Sequence, residues 1–553
     1  MAIKKLDLIL NEFTIIDGTG NDPYIGSLGI KDGKITKIKK EESISTSASR
    51  ILNCSEFEKN GETIVITPGF IDMHSHSDLA VFMTNSEKQE MATKAKISQG
   101  ITREVVGQDG FSAAPIFDEK KEKYANHWAA LTGYLPPEDW TWNTIAEYLA
   151  QVNQKSITGI ETLVGHSTLR INVMGYQKRA PTKDELDEMQ SLLRRSLQEG
   201  AIGLSLGLIY PPGLFAKKEE LIALAKVVAE ENGLMVAHIR NESEKIISAA
   251  EEYLQITAEA KCRTHFSHLK VCGKDKLKKR KALLKMMAQT RNKSQKITFD
   301  MYPYDAGSTT LQAILPPWAQ DGSPEEVKQR LRNNNLVEKM AEEIFSEENG
   351  DWDNFIQMSR GELEGIVISD APKSHEELIG KNLAEIGQER GFDPTVKEGK
   401  IATFSYICKL LVETNLQLAM ISYNQSIDIV KYFLTLPNMT IGTDGVLGRK
   451  PHPRLYGAVT KYLRMMRESG GRPIEQAVQQ ITYYSANIIR TESPHFLSEK
   501  PVVDFVILDK EGIRESNSYE SPRKLSKGII GVFVKGELVY PQNYEKLLRN
   551  FSK

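Results

Sequence analysis

Hydrophobic and polar positions follow two different rhythms along the chain. Residues 5–16 and 27–39 alternate apolar with polar around two turn signals, Asp17-Gly18-Thr19-Gly20 and Lys31-Asp32-Gly33-Lys34. Successive side chains of an extended strand point to opposite faces, so this alternation predicts short antiparallel strands. A similar pattern returns at 502–508 and 531–539. β-rich stretches at both ends of a long middle predict one small β domain built jointly from residues 1–64 and 496–553.

The middle alternates differently. Apolar runs at 65–73, 101–106, 160–164, 201–209, 234–239, 263–271, 297–301 and 439–443 are mostly separated by helical stretches. Residues 184–199 carry Leu186, Met189, Leu192, Leu193 and Leu197 close to a 3.6-residue period, the mark of a helix with one apolar stripe. Residues 217–230 and 243–259 repeat it, and Glu242 and Glu244 supply early acids that suit a helix start. Eight buried strands, each followed by helix, predict a (β/α)₈ TIM-like barrel of the α/β class over residues 65–495. A doubly wound open sheet is the alternative, but no glycine-rich phosphate loop follows the first strand. Two excursions interrupt the barrel. Residues 111–158, with Trp128, Trp140 and Trp142, and residues 305–437 are expected at the catalytic face as lids or pocket walls.

Composition narrows the function classes. At 553 residues the chain exceeds one ordinary core, and 40% hydrophobic with 26% charged content is that of a soluble globular protein. A formal net charge of −2 gives no general attraction to nucleic acid or to a membrane surface. No apolar run approaches membrane-spanning length, and the first ten residues have too short an apolar stretch and too early an acid for a secretory signal. The basic run at 274–285 reads as a solvated helix face. Cys54, Cys262, Cys272 and Cys408 are scattered with no Cys-x-x-Cys, which suits a reducing compartment. The cytoplasm is the expected location.

Candidate chemistry collects at the strand ends, where barrel active sites belong. His74 and His76 leave the first strand one residue apart, on the same side of an extended chain, and so can reach one ion. The later exits carry Asp109, His166, Tyr210, His238, His268 with Lys270, Tyr302 with Tyr304, and Asp444. Imidazole and carboxylate in that combination suit Zn²⁺ or a similar first-row ion. His265 falls on the other face of its strand and is read as structural; His127, His375 and His495 receive no role.

These segments resemble the amidohydrolase superfamily and, within it, the N-acyl-D-amino-acid deacylase (D-aminoacylase) family. The resemblance is carried by PGFIDMHSHSD, GITREVVGQDGFSAAP, GAIGLSLGLIYPPG, AHIRNE, SHLK, DMYPYDAGST, and IGTDG followed by HPRLYG, in family order and along nearly the whole chain. It implies a metal-dependent barrel beside a small β domain made from both termini. It also implies His74, His76, His238 and His268 as metal ligands, and Asp444 as the general base within reach of the metal. Tyr210, Lys270, Tyr302, Ser308 and Arg454 resemble the substrate-holding set, with Arg454 and Lys270 facing a substrate carboxylate. Tyr210 or His166 is the expected oxyanion donor.

One departure stands out. Where many members carry Gly-Asn-Cys-Gly, with a ligating cysteine, this chain has Gly107-Gln108-Asp109-Gly110. Asp109 is the expected replacement ligand, and a hard carboxylate in place of a soft thiolate admits Mn²⁺, Co²⁺ or Fe²⁺ beside Zn²⁺. No lysine interrupts 201–209 to serve as a carbamylated bridge, so one or two ions are both open. The expected reaction is hydrolysis of an N-acyl-D-amino acid, with a small-molecule substrate as the partner and the oligomeric state open. Hydrolysis of a cyclic amide such as a hydantoin or dihydropyrimidine is a second reading, and a non-catalytic metal-binding barrel a third.

Overall fold

The protein is described from a computed structural model covering residues 5–57, 63–83, 87–291, 296–346, 350–491, 495–499 and 504–541. Its fold is a (β/α)₈ barrel joined to a β domain drawn from the two termini. In the terminal sheet, Ile64–Pro68 is the keystone: it runs parallel to Leu6–Ile15 on one side and antiparallel to Phe505–Asp509 on the other. Phe13, Leu28, Ile66, Phe505 and Phe533 form its apolar core. Residues 502 and 503 lie outside the described residues.

The apolar run at 65–73 is therefore two strands serving two sheets. Ile64–Pro68 stays in the terminal sheet, and Phe70–Asp72 opens the barrel. Between them Gly69 passes so close to the second barrel strand that an added Cβ would lie 2.1 Å from Thr102 Oγ1. Hydrophobicity alone is blind to such a hand-over, because both halves are buried.

The remaining barrel strands are Ile101–Val106, Gly159–Thr162, Gly203–Gly207, Leu234–His238, Arg263–Phe266, Ile297–Met301 and Met439–Ile441. Neighbours are parallel, and Val164–Gly165 carries the third strand on to the fourth. The circle closes between the first and eighth strands through Met73 N–H to the Ile441 carbonyl at 3.0 Å and Asp444 N–H to the His74 carbonyl at 2.8 Å. Outside, Lys183–Gln198 starts on a reciprocal cap between Thr182 and Glu185 and buries Met189, Leu192, Leu193 and Leu197. Lys218–Glu230 and Ile246–Ala260 follow the same logic. The last of these begins at Ile246, so Glu242 and Glu244 are not its first-turn acids.

The first excursion packs its tryptophans into the main core, with Trp140 and Trp142 stacked at 5.8 Å between centroids. The second is more than a loop. Gly307–Thr310, Ala419–Ser422 and Ile366–Asp370 form an antiparallel sheet, and helices such as Asn334–Ile344 and Lys397–Glu413 pack around Ile314, Met340, Phe404 and Leu411. That lobe has a core of its own. Helix Ile427–Leu434 lies in the same sequence interval but packs into the barrel core ahead of the eighth strand. Among the described residues no helix is long and apolar enough to cross a membrane.

Candidate metal centre

Barrel closure brings five distant strand ends to one point. His74, His76, Asp109, His238, His268 and Asp444 are all buried and fall into two groups that share Asp109. In the first, Asp109 Oδ2 lies 3.6 Å from the Nε2 of both His74 and His76. Asp444 Oδ1 completes it, 3.7 Å from His74 Nε2 and 3.2 Å from His76 Nε2. In the second, Asp109 Oδ1 lies 3.7 Å from His238 Nδ1 and 3.4 Å from His268 Nε2. Four donors placed tetrahedrally about 2.0–2.1 Å from an ion stand about 3.4 Å from one another. The carboxylate-to-imidazole distances in both groups, 3.2 to 3.7 Å, are close to that spacing.

The electrostatics fit a cation. Burial opposes protonation of His74, yet Asp109, Asp444 and Asp300 together outweigh it and hold that imidazole well above its ordinary value. His268 is pushed up to about 9: burial and Lys270 work against its charge, and Asp109 and Glu242 more than compensate. Asp444 stays well below the usual carboxylate range against its burial, because Arg454 and His74 face it. His74 Nε2, His238 Nδ1 and Asp109 Oδ1 are buried without a hydrogen-bond partner. Buried donors and acceptors are nearly always satisfied; here the orphaned atoms converge on two points where an ion would satisfy them.

The chain takes unusual backbone angles to present these groups. Asp109, His268 and Asp444 have φ of 54°, 32° and 48°, in the left-handed region that non-glycine residues rarely occupy. Each sits just past a barrel strand, where a left-handed residue turns the chain across the barrel mouth. Such strain, of order 1–3 kcal/mol per residue, clusters at functional sites.

Beside the two groups is a cavity. Tyr210, Lys270, Tyr302, Ser308 and Arg454 line it, as do His76, Asp109, His238, His268 and Asp444. Arg454 pairs with Asp444 Oδ2 at 2.8 Å, donates to the Ser308 carbonyl at 3.0 Å and lies 4.4 Å over the Tyr302 ring. Ser308 Oγ is buried with no partner, and Tyr210 shares a 2.8 Å hydrogen bond with Thr309 Oγ1. Lys270 donates to both oxygens of Glu242, at 2.8 and 2.9 Å.

His166 is not brought to this cavity. It opens the helix His166–Met174 and is locked to Glu220 at 2.8 Å, which also receives Arg170. The site also includes residues that the sequence marks only weakly. Glu242 stands 3.2 Å from His268 Nδ1 and 3.6 Å from His238 Nε2, so it belongs behind the metal ligands. Its position four residues after His238 was the available signal. Asp300 accepts from the His268 amide at 3.0 Å and from His265 Nε2, also at 3.0 Å. Leu131 from the first excursion and Phe355 and Asn424 from the second line the cavity, and nothing in their local sequence marks them.

Comparison with known proteins agrees with the fold. A model of the Amidohydrolase family matches residues 64–333. The N-acyl-D-aspartate deacylase of Alcaligenes xylosoxydans xylosoxydans is 27% identical over 98% of this chain and 93% of its own. The D-aminoacylase of the same organism is 28% identical, over 98% of this chain and 95% of its own. A solved N-acyl-D-glutamate deacylase from Bordetella bronchiseptica, complexed with zinc and a phosphonate mimic of the tetrahedral intermediate, superposes with a TM-score of 0.78. It is 29% identical, covering 98% of this chain and 97% of that one. The protein is thus a barrel with buried histidine and aspartate metal-binding sites, similar over residues 64–333 to the amidohydrolase family. Its full-length relatives are D-aminoacylases and N-acyl-D-amino-acid deacylases.

Proposed function

We propose that this protein hydrolyses the amide bond of N-acyl-D-amino acids, releasing a carboxylate and a D-amino acid. The observation that carries the proposal is the pair of histidine groups sharing Asp109, with Asp444 and Arg454 side by side on the cavity wall. Similarity along the whole chain to deacylases acting on such substrates supports it. His74, His76, Asp109 and Asp444 would hold one divalent cation, and Asp109, His238 and His268 a second; zinc fits the donor set, and the carboxylate bridge also accepts Mn²⁺, Co²⁺ or Fe²⁺. Such a cation lowers the pKa of water towards neutrality and polarises a carbonyl.

The chain supplies the rest. Asp444 takes the proton of the attacking water and later delivers it to the departing amine. Arg454, anchored over the Tyr302 ring and on the Ser308 carbonyl, presents its guanidinium to the substrate α-carboxylate. Ser308 Oγ is free to add a hydrogen bond to the same group. Lys270 is held ready by Glu242 at the cavity edge. Tyr210 is the donor near the developing oxyanion, a role worth roughly 3 kcal/mol in comparable sites.

Asp444→Asn keeps the shape of the side chain and removes its basicity. It is expected to cut kcat by at least about a hundredfold, measured as D-amino acid released from an N-acyl-D-amino acid. Turnover close to that of the unaltered protein would end the assignment.

A further inference from the structure

Behind the first-strand histidines lies a second buried charge cluster that this reaction does not use. Lys96, at the end of helix Glu87–Ile97, is 1% exposed and sends its ammonium into the seam between the first, second and eighth barrel strands. Lysine is almost never fully buried unless it is paired, because stripping its charge of water is costly. Its Nζ pairs with Asp72, donates to Ser75 Oγ and Thr443 Oγ1 at 2.9 Å each, and stands 3.3 Å from Glu104 Oε2. Asp72 also accepts from the Thr443 amide at 2.7 Å, the Thr443 hydroxyl at 2.6 Å and the His74 amide at 3.2 Å. Glu104 accepts from the hydroxyls of Ser75, Ser77 and Thr158 at 2.7, 2.6 and 2.7 Å.

Most of these contacts land beside a residue of the metal centre. Ser75 separates His74 from His76, Ser77 follows His76, and Thr443 precedes Asp444. The barrel ladder is also discontinuous at this seam. The first and eighth strands meet through the two backbone hydrogen bonds of the closure and an isolated bridge between Ser75 and Gly445, not a continuous pairing. Yet His76 and Asp444, 3.2 Å apart in one metal group, come from opposite sides of it.

We propose that Lys96, Asp72 and Glu104 form a positioning device that clamps the first barrel strand to the eighth and so fixes His74 and His76 against Asp444. The inference rests on the metal centre of the proposed function, though not on its substrate. The side chains add registry to a sparse backbone seam, and they do so at Ser75 and Ser77 on either side of His76 and at Thr443 just before Asp444.

Lys96→Met keeps a stem of similar reach and removes the ammonium. Metal-free protein is titrated with Co²⁺, following heat and the visible ligand-field spectrum, beside a thermal melt. Cobalt affinity is expected to fall at least about tenfold, as for lost partners of metal ligands elsewhere, with an altered spectrum. Leu224→Ala, in the buried face of an outer helix, lowers the Tm and leaves both readouts unchanged. Ser75→Ala and Thr443→Val each remove one arm without unpairing a charge, and are expected to shift affinity and spectrum the same way by less. They carry the test if Lys96→Met does not fold. Unaltered cobalt affinity and spectrum in a folded Lys96→Met, or in both milder variants, overturns the proposal. Because no substrate enters the titration, a protein that hydrolyses no N-acyl-amino acid would sink the reaction and leave this result standing.

Discussion

Asp109 is the residue that the two metal groups share. Its two oxygens face different histidine pairs, Oδ2 towards His74 and His76 and Oδ1 towards His238 and His268. One carboxylate can thus serve two ions at once. Asp109→Asn keeps the shape but loses the charge both groups share. Metal retained after exhaustive dialysis, counted by elemental analysis, is expected to drop well below that of the unaltered protein. Equal content would remove Asp109 from the centre. Asp109 was legible in sequence because Gly107-Gln108-Asp109-Gly110 resembles a segment that carries a ligating cysteine in many similar proteins. Glu242 was not: its neighbours invite a helix-start reading, and only the turn before Ile246 swings it towards Lys270 and the histidines. His166 misled in the opposite direction. Its place after the third strand suggests the barrel mouth, but Glu220 and Arg170 hold it among the helices.

At the scale of elements, strand identity came from continuous apolar runs, and two of them, Ile101–Val106 and Ile297–Met301, have the expected bounds. The run at 65–73 failed because burial does not say which sheet does the burying. Close backbone approach is a further constraint that hydrophobicity cannot express. In Gly203–Gly207 a Cβ on Gly203 would meet the Leu234 carbonyl oxygen at 1.9 Å, a contact neither strand can relieve without breaking the ladder. Gly203→Ala is therefore expected to cost more than about 3 kcal/mol, in the range of severe overpacking. Soluble yield and the urea midpoint test it, and a midpoint within experimental error of the unaltered protein would show that the strands have more slack. The lobe within 305–437 was expected as a wall of the pocket, and Phe355 and Asn424 stand there. Its internal core stayed hidden, since periodicity marks single helices and not which of them pack together.

At the scale of the whole molecule, the two termini and the barrel meet around Gly69. His495 reaches that junction from the far end of the chain: its Nδ1 lies 3.3 Å from the Gly69 carbonyl, and Arg103 donates to its Nε2 at 2.9 Å. Burial first, then the neighbouring Arg103, push His495 down to about 3. An unfolded chain protonates this imidazole near its ordinary value of about 6.5. The unfolded state therefore binds a proton that the folded state refuses between those two values. The contribution of His495 to stability is complete above pH 6.5 and is lost progressively as pH falls towards 3. His495→Gln removes that part of the acid dependence. Urea midpoints measured from pH 7 to pH 4 are expected to fall less steeply in the variant, and identical slopes would place the acid sensitivity elsewhere.

The barrel itself was legible because eight apolar runs ended in residues that can bind metal or move protons. What no single run could reveal is that they converge. The most direct test is to strip the protein with a chelator and follow release of the D-amino acid from an N-acyl-D-amino acid as Zn²⁺ is returned in measured equivalents. Turnover is expected to vanish in the stripped protein and to return as the sites fill. Full turnover without metal, or none at any loading in protein that has bound it, would contradict the account.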